Sequence, residues 1–241
     1  MKNVLIPTNL QQDTLQALKV SIAEANGQDC NITLLFLREV SDTASAAFWL
    51  RKTNSEFSAA QENILQKCHE IVSFHDNCKL KFQQQYSVSK PLLKNFIDCK
   101  SINWIIVPES FRKSEIEMER YCLKLLSNCK QPILQLSTDF EEHSFSKALY
   151  IENSHSALQA KDLAALIGAD FSFSIVSQTK ITDDQNHEEM TPILYDAIYK
   201  NGIDLLIETR KPAKIRLTKK NKPSVHENLG LPVLSLCEPA Y

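Results

Sequence analysis

Residues 103–137 read NWIIVPESFRKSEIEMERYCLKLLSNCKQPILQLS, and this stretch decides the fold. An apolar run, Trp104-Ile105-Ile106-Val107, has the composition of a strand buried on both faces. A polar loop follows, then Ile116 to Leu126 at helical spacing, then a second apolar run opened by Pro132. A shortened echo of the unit lies near the other end of the sequence. Ile102-Asn103-Trp104-Ile105-Ile106-Val107 falls over Ile203-Asp204-Leu205-Leu206-Ile207-Glu208, and Gln131-Pro132-Ile133-Leu134-Gln135-Leu136-Ser137 over Leu231-Pro232-Val233-Leu234-Ser235-Leu236-Cys237. One supersecondary unit written twice predicts a tandem protein.

Working outward, Val4-Leu5-Ile6 is a strand stopped by Pro7, and Leu15, Leu18, Ile22 and Ala25 recur at helical spacing before Asn26-Gly27 ends the helix. The run at residues 32–37 is a second buried strand, so the opening is a right-handed βαβ unit. A loop over residues 41–54, a helix over 55–75, a polar third strand over 79–88 and a helix over 91–99 lead back to the Trp104 strand. Five strands alternating with four helices make a complete doubly wound, Rossmann-like α/β domain over residues 1–138.

The acidic connection TDFEEHS at residues 138–144 marks the boundary. Beyond it, Lys147 to Ile151 opens like Asn3 to Ile6, and Asn153 falls on Asn9. A helix follows over 158–168, a strand over 171–176 and a helix over 190–200. Ninety-eight residues separate Leu5 from Asn103, whereas 55 separate Leu149 from Asp204. The second domain, residues 145–241, is therefore expected to lack the second helix and third strand of the first.

Composition narrows function by exclusion. The 241 residues carry 27 Lys and Arg against 29 Asp and Glu, so no global field attracts nucleic acid or an anionic membrane. Apolar runs are strand-sized, far short of a bilayer span. No leader pattern follows Met1, and the seven scattered cysteines suggest no disulfide framework; both predict a reduced, cytoplasmic setting. The group Cys68, His69, His75 and Cys78 matches no common zinc spacing, so no metal is expected. Cys122 and Cys129 read as core residues two turns apart on the last helix of the first domain. Asp183, Asp184, His187, Glu188 and Glu189 read as a loop and a charged first helical turn. No nucleophile elbow, zinc-protease helix or Walker loop occurs, which predicts a protein that is not an enzyme.

The element order, with Ile6-Pro7-Thr8, Trp104-Ile105-Ile106-Val107 and the two proline-led final strands, resembles the universal stress protein family in its tandem form. The resemblance implies two adenine-nucleotide α-hydrolase-like domains, the second abbreviated. Many members of that family bind ATP through an Asp ending the first strand, a glycine-rich loop after the fourth, and a Gly-Ser pair opening the last helix. The glycines matter because phosphates must reach backbone N–H groups at a helix start, and side chains obstruct that approach.

This chain holds four glycines, at 27, 168, 202 and 230, with none in that loop. Asn9 and Asn153 stand where the family has Asp, Glu109-Ser110-Phe111-Arg112-Lys113-Ser114 where it has the loop, and Glu119-Arg120 where it has Gly-Ser. The expectation is a degenerate nucleotide site with no cofactor, and a stress-response or regulatory module acting on an unidentified protein partner. The alternative is an ATP, AMP or small-anion binder using Asn9, Ser110, Arg112, Lys113 and Arg120. The basic segment RKPAKIRLTKKNK at 210–222 reads as a solvated loop before an anion or nucleic-acid site. The resemblance also implies that the strands at 132–137 and 232–237 pair across a pseudo-twofold, as in a fused dimer, with a homodimer of tandem chains a further expectation.

Overall fold

The computed structural model describes residues 1–38, 57–137, 144–153, 163, 173–181, 187–211 and 229–238. Nine strands form one sheet: β1 (Lys2–Thr8), β2 (Cys30–Leu37), β3 (Cys78–Gln85), β4 (Trp104–Val107), β5 (Ile133–Gln135), β6 (Lys147–Asn153), β7 (Ser174–Ile181), β8 (Leu205–Arg210) and β9 (Val233–Cys237). The helices are α1 (Asp13–Ala25), α2 (Ala59–Ser73), α3 (Lys90–Cys99), the single turn α4 (Glu109–Arg112), α5 (Glu117–Leu126) and α6 (His187–Asn201).

The sheet order is β3-β2-β1-β4-β5-β9-β8-β6-β7. Every pairing is parallel except β5 with β9, which are antiparallel with Leu134 opposite Leu234. The expected pairing of the two proline-led strands is therefore present. Side-chain alternation sorts the first half into two cores. Val4, Ile6, Ile32, Leu34 and Ile106 pack toward α1 and α2, whereas Leu5, Leu35, Ile105 and Val107 pack toward α3 and α5. The first of these cores runs on across the seam through Leu134, Leu234, Ile207 and Tyr150.

Local bonds repeat in both halves. Asn103 donates its N–H to the Asn3 carbonyl and its Oδ1 accepts from the Asn3 N–H, both at 3.0 Å. Asp204 does the same with Lys147, again at 3.0 Å for each bond. Ile105 donates to the Pro132 carbonyl and Leu206 to the Pro232 carbonyl, both at 3.0 Å. These are the positions that the sequence echo overlays.

Helix ends follow the side chains. Ser58 and Gln61 form a reciprocal capping box at α2, and Ser89 accepts from the Leu92 N–H at α3. Asn26 closes α1 in the left-handed region at φ 47°, and Gly27 continues there at φ 76°. Two expectations differ. The last helix of the first half stops at Leu126, so Cys129 lies beyond it in the connection to β5, where a proline-led strand has to begin. The loop after β4 contains α4, a helical turn that its four residues could not signal by periodicity. The loop at 41–54, the helix at 158–168 apart from Leu163, Asp183 and Asp184, and most of the basic segment lie outside the described residues.

Candidate nucleotide position at the carboxyl ends of β1 and β4

In an open α/β sheet, ligands bind beyond the carboxyl ends of the strands where the winding reverses. Here that point lies between β1 and β4, with Asn9 after one strand and α4 after the other. The backbone beyond β1 is unusual. Leu10 sits at φ 58°, a region costly for a side chain with a Cβ. Two observations account for it: Leu10 is 2% exposed, and its N–H donates to Thr8 Oγ1 at 2.8 Å. Thr8 Oγ1 in turn lies 2.7 Å from Thr14 Oγ1, fixing the turn to the start of α1.

That turn brings Asp13 against α4. Pro108 stands at the N-cap of α4 and has no side chain able to cap it. Asp13 supplies the missing acceptor from another helix. Its Oδ2 accepts the Ser110 N–H at 2.7 Å and its Oδ1 accepts the Ser110 hydroxyl at 2.7 Å. Asn9 Oδ1 lies 2.9 Å from the same hydroxyl as a competing acceptor. The Ser110 N–H, a donor at a helix start, is thus taken by the protein's own carboxylate.

The expected cations are also engaged. Glu109, 6% exposed, pairs through Oε1 with Lys113 Nζ and, at 3.5 Å, with Arg112 Nη2. Two side chains proposed for an anion therefore neutralise a carboxylate on their own turn. In the first turn of α5, which opens at Glu117, Glu119 is buried and Arg120 exposed.

No protein-family model matches the sequence, and no curated protein matches it. Solved structures do match. A universal stress protein from Archaeoglobus fulgidus DSM 4304 superimposes at a TM-score of 0.55, with 11% identity and 98% of each chain covered. The fold is that of a universal stress protein. A functionally unknown protein from Pseudomonas aeruginosa PAO1 is similar at a TM-score of 0.54 and 12% identity, covering 98% of this chain and 92% of that one.

Set on the universal stress protein fold, the residues singled out by sequence divide into groups. Asn9 and Ser110 meet directly, and Arg112 and Lys113 meet through Glu109. Arg120 shares no hydrogen bond or ion pair with them among the described residues. Asp13, which organises the cluster, is missing from the sequence-derived set. Its signal was available: an Asp in the first turn of a helix, five residues beyond the end of β1, can reach either its own helix start or a neighbouring one. Arg210 is the second residue missed. Assigned by sequence to a solvated basic loop, it ends β8 instead, and its guanidinium donates to the carbonyls of Ser127, Cys129, Gln131 and Ser235. Among the described residues no cluster of three or more His, Cys, Asp or Glu could hold a metal ion, and no helix is long and apolar enough to cross a membrane.

Proposed function

We propose that this chain is a non-catalytic, stress-response or regulatory module on the universal stress protein fold, whose nucleotide position has been closed by its own side chains. The observation carrying this reading is the Asp13 carboxylate seated on the Ser110 N–H, where a phosphate oxygen would otherwise sit. A nucleotide would have to displace a charge-assisted bond and then approach a fixed carboxylate, which adds like-charge repulsion. The pairing of Arg112 and Lys113 with Glu109 weakens the attraction that would offset it.

In this reading the protein works in the cytoplasm through a protein partner, and residues 1–138 and 145–241 are two copies joined as a pseudo-dimer. The matched Asn103 and Asp204 bonds and the antiparallel β5–β9 seam support the two-copy organisation. Thermal denaturation with ATP, AMP and cyclic dinucleotides tests the closed position. The expected result is no midpoint rise that scales with ligand concentration. A scaling rise abolished by Arg112→Ala overturns it and favours the nucleotide or small-anion binder.

A further inference from the structure

A cleft of about 310 Å³ opens between α3 and the connection that follows α5, on the face of the sheet that α1 and α2 do not cover. Its floor is apolar, formed by Leu93, Ile97 and Leu125, each no more than 3% exposed. Its rim carries Lys90, Lys94 and Lys130, all exposed. Among the described residues no ion pair engages these three ammonium groups. Asp98 is the one carboxylate on the lining, so the rim holds an excess of two positive charges over an apolar floor.

The wall is held from behind. Arg210 Nη2 donates to the Cys129 and Gln131 carbonyls at 2.9 and 2.5 Å, and its Nε to the Ser127 carbonyl at 3.1 Å. These three carbonyls belong to the connection that follows α5, and each carries a partial negative charge. With them engaged by a guanidinium, the lysines set the local field.

We infer that this cleft binds a small amphipathic anion, a carboxylate carried on an apolar body, with the apolar part against Leu93, Ile97 and Leu125 and the carboxylate among Lys90, Lys94 and Lys130. The volume lies at the lower end of the range for small-molecule sites, which suits a medium-length acyl chain. The inference stands apart from the closed position at β1 and β4, since it uses neither Asp13 nor α4.

Decanoate is the probe, with decan-1-ol and decylamine as matched controls, read by isothermal titration calorimetry and by the thermal midpoint. Saturable binding of decanoate with a midpoint rise is expected, and the alcohol and amine bind more weakly. The double variant Lys94→Glu, Lys130→Glu should weaken decanoate about tenfold, corresponding to about 1.4 kcal/mol. Asp98→Asn, which removes the one opposing charge, should tighten it. All three substituted side chains are exposed, so circular dichroism and the unliganded midpoint should stay as in the parent protein. Absence of saturable decanoate binding overturns the proposal, as does equal binding of the alcohol. A fall in midpoint without saturation, the mark of detergent action, overturns it as well.

Discussion

Asp13 does the work of two groups: its charge complements the first turn of α1, and its oxygens satisfy the donors of Ser110 on α4. Asp13→Asn keeps the shape and removes the charge, and one of its two amide positions can no longer accept. Loss of about 1–2 kcal/mol in urea denaturation is expected, with Ser110→Ala costing less because the N–H bond survives. A neutral effect of Asp13→Asn would show that the cap is dispensable. This residue also marks how far the site could be read in advance. The absence of glycine between 27 and 168 was visible in the sequence and already told against an open phosphate loop. The folding of the stretch after β4 into a four-residue helical turn was not visible, because one turn is too short to carry a period. The carboxylate that accepts from Ser110 on this turn comes from 97 positions away, and its partner is set by the pairing of β1 with β4.

At the level of elements, Arg210 joins three pieces of backbone: the connection after α5, β8 that carries it, and β9 through Ser235. The planar fork donates to four carbonyls, and burial lowers its pKa without removing the charge. Arg210→Ala leaves those carbonyls short of partners, and a loss of about 2–3 kcal/mol in denaturant unfolding is expected. Arg210→Lys should recover little, since one ammonium cannot reach four acceptors held in a plane. Full recovery by lysine would mean that charge alone matters. Sequence placed Arg210 in a run of seven basic residues at 210–222, and in such a run each cation looks alike. Only the antiparallel seam, which brings the end of β8 beneath the end of α5, separates the first from the rest. Element identity was otherwise well encoded: apolar runs gave the strands, and Ser89 and Asn26-Gly27 gave helix ends. Bounds were less so, as at β7, which runs from Ser174 where the apolar residues suggested a start at 171.

The whole molecule keeps its thiols largely out of reach. Burial pushes Cys30 and Cys122 up to about 12 and Cys68 up to about 11. The folded state therefore holds these protons where an unfolded chain, with thiols near the model-peptide value, has released them. Their contribution is complete below the unfolded value and is lost as pH rises toward the folded ones. Stability should accordingly fall from about pH 9 upward, by as much as roughly 1.4 kcal/mol per pH unit for each such thiol. Urea midpoints measured in reductant across that range check the slope, and Cys68→Ser should flatten it. A pH-independent midpoint would contradict it. Under native conditions a thiol reagent should label the exposed Cys99 first and leave Cys30, Cys68 and Cys122 until unfolding. The nine-stranded sheet brings a further consequence through chain order. Among the described strands β9 comes last in sequence, yet it lies inside the sheet, fourth from the β7 rim, hydrogen-bonded to β5 on one side and β8 on the other. During synthesis both of those neighbours are completed before it, each with an unpaired edge waiting on the ribosome for the same late segment. The nascent chain is most exposed to edge-to-edge association in that interval, and a chaperone that shields strand edges would act there.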